Sequence, residues 1–269
     1  MNYETLYLER IGHVAILTLN RPDQMNAINH QLRSELNLAL DEVAGEFPDT
    51  RVLIITGAGR GFCSGADVGD QAARLSQGQE QDPSKQSTDA ALSESRAAVA
   101  PRLPLLPQPV IAAVNGVAVG AGLSIALASD IRVASDKARF SSIFIKRAGV
   151  PDNGASYLLP ALVGPGVAAE MALTGRIYDA QWAYRVGLVN MVVPADELLE
   201  SAKSLALEIA SNPPLAVRAT KEVQNRHLPD LQELDRLERE ANAPTSDSED
   251  RREAILSFLE KRAPVYKGR

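Results

Sequence analysis

Two glycine-rich segments carry the residues best suited to chemistry. Val114-Asn115-Gly116-Val117-Ala118-Val119-Gly120-Ala121-Gly122-Leu123-Ser124 follows an apolar run and opens an apolar stretch that ends at Asp130. That order predicts bare backbone amides at a helix N-terminus, which is a place to hold negative charge. Gly59-Arg60-Gly61-Phe62-Cys63-Ser64-Gly65-Ala66-Asp67 follows the strand-like Arg51-Val52-Leu53-Ile54-Ile55-Thr56. Backbone amides converging from two separate loops make an oxyanion hole, so together the segments point to chemistry on an activated carbonyl. Either one alone also reads as a tight turn. A third stretch, Gly149-Val150-Pro151-Asp152-Asn153-Gly154, offers a carboxylate, although locally it reads as a turn or helix N-cap.

The elements that must position these segments follow an α/β pattern. Leu6 to Arg10 and Val14 to Leu19 read as a hairpin across Ile11-Gly12-His13. Leu32, Leu36, Leu40 and Val43 recur at helical spacing, and Val52 to Thr56, Val110 to Val114 and Ile131 to Ala134 read as apolar strands. Between Asp70 and Pro101 the composition shifts to Gln, Ser, Ala and Asp, with Leu75, Leu92 and Val99 as sparse apolar points. This predicts a loosely packed helical excursion over 70–100. From residue 196 four helices are expected in succession: Asp196 to Ala210, Pro213 to Arg226, Leu231 to Ala241 and Asp247 to Arg262. The division is therefore a core over 1–195 and an all-helical region over 196–269. The charges Glu233, Asp235, Arg236, Glu238, Arg239 and Glu240 read as a solvated helical face or subunit contact. The acidic run before the last helix reads as capping and dipole complementation.

Composition bounds the function. With 269 residues, 45% hydrophobic and 23% charged, the chain has ample core for one large domain plus an appendage. A net charge of -6 argues against general nucleic-acid affinity. The N-terminus lacks a signal-peptide pattern, and no run is expected to approach the roughly 20 apolar residues that span a bilayer, so a cytoplasmic protein with no membrane partner is expected. The single cysteine, Cys63, excludes an internal disulfide and reads as core. His13, His30 and His227 form no metal-binding spacing, and no metal is expected. Ile55-Thr56-Gly57-Ala58-Gly59-Arg60-Gly61 lacks the final glycine of a dinucleotide fingerprint, and no Tyr-x-x-x-Lys pair follows Tyr157, Tyr178 or Tyr184.

Asn20-Arg21-Pro22 with Asn26-Ala27-Ile28, then Gly61 to Asp67, then Asn115-Gly116 through Gly122, resemble the ordered signature of the crotonase superfamily of enoyl-CoA hydratases and isomerases. The resemblance continues through Ala138 to Ser141, Gly149 to Asp152, Leu173-Thr174-Gly175, Ala183 to Val189 and Phe258 to Arg262, covering nearly the whole chain except the 70–100 insertion. It implies a crotonase-like α/β spiral of repeated ββα units, a C-terminal helical trimerisation region, and a homo-oligomer that is a trimer or dimer of trimers. Acyl-CoA thioesters are the implied substrates, with no cofactor beyond the coenzyme A they carry.

By motif position, the amides of Ala66 and Ala121 correspond to the oxyanion-hole donors. Met25, Ala27, Ser64, Gly65, Asp67, Val68 and Gly120 fall where relatives hold the CoA ester, mostly through backbone atoms. Phe258 and Lys261 match C-terminal positions that in relatives reach the CoA adenine and phosphate. The two catalytic glutamates of the hydratases are replaced by Ser124 and Phe144, which are placed among the substrate-lining residues. Hydration uses two carboxylates to position water and exchange protons, and phenylalanine can do neither. Asp152 occupies a position where certain isomerases of the superfamily carry a catalytic aspartate. The resemblance therefore implies one-base double-bond or ring isomerisation, closest to the 1,2-epoxyphenylacetyl-CoA isomerase branch. Three alternatives stand beside it: hydration with atypical acid–base residues, nucleophilic attack by Asp152, and a non-catalytic acyl-CoA scaffold.

Overall fold

The computed structural model describes residues 3–69, 98–227, 231–246 and 248–268. The first apolar alternations pair as the expected hairpin, with β1 (Leu6–Ile11) antiparallel to β2 (Val14–Leu19) and Leu6 opposite Leu19. Helix α1 (His30–Gly45) buries Leu32, Leu36, Leu40 and Val43 together with Ala39, which is the face their spacing defines. The Asn29 side chain caps it, accepting from the Leu32 amide at 2.9 Å.

Two sheets then grow side by side. β3 (Val52–Gly57), β5 (Val110–Val114), β7 (Ile131–Ser135) and β10 (Met191–Val193) extend the hairpin in parallel, giving the order β1-β2-β3-β5-β7-β10. β3, β5 and β7 are each followed by a three-residue strand of the second sheet: β4 (Gly61–Cys63), β6 (Val117–Val119) and β8 (Arg139–Ser141). β9 (Tyr178–Asp179) pairs antiparallel with β8 at the edge. After β6 comes helix α2 (Ala121–Ala128), and after β8 comes α3 (Ala155–Thr174). One strand in each sheet and then a helix is the expected ββα spiral. Phe62, Phe140, Leu123 and the buried face of α1 meet in the larger core cluster between them.

Helix α4 (Ala180–Arg185) is capped by Asp179. Helix α5 (Leu198–Ala210) begins the helical region but belongs to the core. Leu198, Ala202, Ala206 and Ala210 cover the far face of the large sheet, packing on Val14, Ile16, Val52, Ile54, Ile111, Ala113 and Val133. Parallel strands are apolar on both faces and need such a cover. Helix α6 (Pro214–Gln224) starts at the proline pair and sends Lys221 inward, where Nζ donates to the carbonyls of Leu103 and Gln108, each at 2.9 Å, and pairs with Asp130 at 2.7 Å. Helices α7 (Leu231–Ser246) and α8 (Glu249–Leu259) complete the chain, and Ser248 caps α8 as the acidic run suggested.

Two expectations need correction. Val99 is core, 4% exposed, because the chain turns inward through Ala100–Leu105 to reach β5. The rest of the insertion, including Leu75 and Leu92, lies outside the described residues. Helix α3 is also long and apolar enough, by length and composition, to cross a membrane. It contains Pro160 and Pro165 around a non-helical Gly164 and packs Leu158, Leu159 and Met171 into the protein core.

Candidate active site

Two motif asparagines hold the first glycine loop in place. The Asn26 side chain, fully buried, donates to the carbonyls of Ala58 at 3.0 Å and Gly61 at 2.8 Å and accepts from the Arg21 amide at 2.8 Å. Asn115, at the end of β5, accepts from the Gly57 amide at 3.2 Å and donates to the Gly59 carbonyl at 2.9 Å. The loop after β3 is thereby stitched to the loop that leads into α2. Buried carbonyls need such partners when no ladder supplies them.

The stitching brings the two oxyanion candidates together. Ala66 bridges to Ile28 through the Gly65 carbonyl (2.7 Å) and the Asp67 amide (3.1 Å), so the Ala66 amide faces away from Ile28. Gly65 (φ 89°) and Gly120 (φ 55°) turn the chains toward one another in conformations that side chains resist. A Cβ added to Gly65 would stand 3.0 Å from the Val119 carbonyl oxygen and 3.5 Å from the Ala121 nitrogen. The Gly120 amide is used by the Ser141 carbonyl at 3.2 Å, whereas Ala121 opens α2, where an amide has no partner inside the helix. Ala66 and Ala121, the two expected donors, thus lie on adjoining turns.

The positions that replace the glutamates behave differently from one another. Ser124, in the first turn of α2, is fully buried, and its hydroxyl donates to the Asp152 main-chain carbonyl at 3.0 Å and lies 3.3 Å from the Gly120 carbonyl. It is a buried strut between segments. Phe144, in the 3-10 turn Ile143–Arg147, is half-buried against the core.

Asp152 is half-buried, and its carboxylate accepts from Asn153 Nδ2 at 2.6 Å. The first amides of α3 are taken by other groups. Ala155 donates to the Asp152 main-chain carbonyl at 3.1 Å, and Glu238 of α7 accepts from Gly154 (3.0 Å), from Ser156 (3.2 Å) and from the Ser156 hydroxyl (2.5 Å). Helix-capping, the local alternative for Asp152, is thus performed by a residue from the C-terminal helices. Burial, opposed by these hydrogen bonds and assisted by the charge of Asp152, holds the Glu238 carboxyl above the ordinary range. Sequence patterning read Glu238 as part of a solvated face or subunit contact; it is 4% exposed within its own chain, while its neighbours Arg236, Glu233 and Glu240 form exposed ion pairs.

The residues expected along the CoA ester divide into two groups. Met25, Ala27, Ser64 and Asp67 interlock: the Ser64 amide donates to the Met25 carbonyl at 3.0 Å, Arg21 donates to the Ala27 carbonyl, and Arg21 pairs with Asp67 at 2.9 Å. The Asp67 carboxylate is therefore occupied by Arg21 and by the Gly69 amide at 3.0 Å. Val68 follows half-buried. Phe258, on α8, lies 3.7 Å beneath the Arg147 guanidinium, and Lys261, just past the end of α8, is exposed. Cys63 is fully buried, which pushes its thiol up to about 12. His13 and His30 are exposed; the His227 side chain lies outside the described residues.

A spiral of two-sheet ββα units with a glycine loop after β4 set against the start of α2 is the crotonase fold. The chain belongs to the enoyl-CoA hydratase/isomerase family, whose model matches residues 9–269. It is 36% identical to the short-chain-enoyl-CoA hydratase of Clostridium acetobutylicum, over 97% of each chain. It is 38% identical to the 1,2-epoxyphenylacetyl-CoA isomerase of Escherichia coli, over 95% of each. Among solved structures, carnitinyl-CoA hydratase from Mycobacterium avium superposes with a TM-score of 0.83 at 34% identity, over the full length of both chains. The family processes acyl-CoA thioesters, and its members here carry both hydratase and isomerase names.

Proposed function

We propose that this chain isomerises a double bond, or an equivalent strained ring, in an acyl-CoA thioester, with Asp152 as the single base. The observation that carries this reading is the 3.0 Å bond from Ser124 to the Asp152 carbonyl, which ties the segment bearing the carboxylate to the helix whose first amide is Ala121. Base and oxyanion donor are fixed in one frame, while the two hydratase positions hold a sealed hydroxyl and a phenyl ring.

For a 3-enoyl-CoA the step balances with one carboxylate. Asp152 takes a proton from C2, the electron pair moves into a dienolate whose oxygen sits on the Ala66 and Ala121 amides, and the carboxylic acid, after exchanging its proton with solvent, protonates C4. The thioester C2 proton is too weakly acidic for a carboxylate unless charge is stabilised as it reaches the oxygen, and one such donor supplies about 2.7–4 kcal/mol. The Met25, Ala27, Ser64 and Val68 main chain would hold the pantetheine and adenine, and the chemistry needs no cofactor beyond the substrate's own CoA. Incubation with 3-hexenoyl-CoA and crotonyl-CoA, followed by NMR of the products, tests this. Bond migration without water addition supports it, and 3-hydroxyacyl-CoA as the main product contradicts it.

A further inference from the structure

Arg147 closes the 3-10 turn that follows β8, and its half-buried guanidinium lies 3.7 Å over the ring of Phe258. Arg251 stands two turns before Phe258 on α8, in the stretch that buries Ala254 and Ile255, and donates to the Arg147 carbonyl. Its Nη1 also lies against Gly149, where an added Cβ would stand 3.0 Å away. The tail borders the pair, with the Tyr266 hydroxyl donating to the Lys146 carbonyl at 3.4 Å. Two arginines are thus gathered beside one aromatic ring, in a chain whose net charge is -6.

The acidic residues of α8 and its end are engaged elsewhere. Glu249 pairs with Lys267 at 3.2 Å, and Asp250 accepts from the Lys267 and Gly268 amides at 2.6 and 2.8 Å. Glu253 and Glu260 share Arg262. Among the described residues, the charged groups that bear on Arg147 are Arg251 and Tyr266, and no carboxylate is among them. Asp152 is the carboxylate whose charge reaches Arg251. Burial lowers the pKa of both guanidiniums, and the charge of Arg251 lowers that of Arg147 further. A cation held half out of water without a carboxylate beside it carries a desolvation cost that a bound anion offsets.

Stacking on an aromatic ring uses the face of a guanidinium and leaves its in-plane N–H donors for an acceptor. Two neighbouring guanidiniums suit a doubly charged tetrahedral phosphate better than a single carboxylate, because each brings a full charge and a planar fork of donors. We infer that Arg147, seated on Phe258 and flanked by Arg251, is a phosphate site, and that the ribose phosphate of the CoA thioester fills it. Phe258 is then the platform for Arg147 and not a ring for adenine, and Arg147, not Lys261, is the cation that reads the phosphate. This rests on the acyl-CoA reading of the substrate and is independent of which residue is the base.

The test is equilibrium binding of CoA and of dephospho-CoA, which lacks the ribose phosphate, to the full chain, with inorganic phosphate as a third probe read by thermal shift. Wild type is expected to bind CoA about tenfold or more tighter than dephospho-CoA, the effect of one charged hydrogen-bonded contact. Arg147→Gln loses that preference with its affinity for dephospho-CoA unchanged, whereas Lys261→Gln keeps it. If Arg147→Gln does not fold, Phe258→Leu decides: it removes the platform and keeps the cation, so the preference falls, and an unchanged preference overturns the proposal. A preference for CoA that survives in Arg147→Gln overturns it too, as does equal affinity of wild type for both ligands with no shift by inorganic phosphate. An Arg147-dependent shift by inorganic phosphate without a preference for CoA keeps the phosphate site and overturns CoA as its source. Binding of neither CoA nor dephospho-CoA by wild type instead overturns the acyl-CoA reading.

Discussion

The Ser124 hydroxyl donates to the main-chain carbonyl of Asp152 at 3.0 Å, across 28 residues of sequence and from the first turn of the helix that supplies the Ala121 amide. The position that by resemblance holds a carboxylate in hydratases here holds a strut between the segment bearing Asp152, the proposed base, and the helix that opens at Ala121, the proposed oxyanion donor. Ser124→Ala should leave the fold intact at a cost of about 1 kcal/mol and lower kcat more than it raises KM. Thermal denaturation and steady-state kinetics check both. An unchanged kcat would mean that the strut does not set the geometry.

Gly65 offers a direct probe of the hole. Its φ of 89° disfavours any side chain, and a Cβ would stand 3.0 Å from the Val119 carbonyl and 3.5 Å from the Ala121 nitrogen. Gly65→Ala should separate the Ala66 and Ala121 donors and reduce kcat by about 10²–10³, the loss expected for one oxyanion donor. Single-turnover rates with saturating substrate measure this. A fall confined to KM would place Gly65 in CoA binding alone.

The pH dependence of stability should carry a signature of Glu238. Its pKa in the fold lies above the value of an exposed glutamate, mainly because burial disfavours the charged form. The folded state then binds more protons than the unfolded chain, so the stabilisation is fully present below the unfolded pKa and is lost as pH rises through the folded pKa. Carboxylates with lowered values, such as Glu35 and Glu46, act in the opposite sense, so the comparison must be a difference. Denaturant midpoints of wild type against Glu238→Gln should show the variant gaining relative stability as pH rises through that window. A constant difference contradicts the assignment.

Cys63 should be inert. With the thiol fully buried and pushed up to about 12, iodoacetamide at pH 8 should leave native protein unlabelled and react fully only in guanidinium. Rapid labelling of native protein, read by mass spectrometry, would show that the β4 segment opens.

Much of this was legible in the sequence because it is written in local period and ordered motifs. The hairpin, α1 and the C-terminal helices followed from the spacing of Leu, Val and Pro, and the two glycine segments marked the turns at Gly65 and Gly120. The three-residue strands β4, β6 and β8 were hidden, since they sit inside those same segments and are too short to show alternation. Glu238 was hidden for another reason. Within its charged run nothing local separates it from Glu233 or Glu240, and its partners at Gly154 and Ser156 are more than eighty residues away. Its one signal is the stripe Leu234, Glu238 and Asn242 on a single helical face, with Leu234 beside Gly154 and Asn242 bonded to Val150.

The central claim is that Asp152 removes the proton at C2. Deuterium incorporation from D2O into 3-hexenoyl-CoA, followed by mass spectrometry for wild type and Asp152→Asn at matched CoA-ester occupancy, tests it most directly. The account predicts label at C2 or C4 with bond migration in wild type, and unchanged binding with no label in the variant. Equal labelling in the two proteins would contradict it.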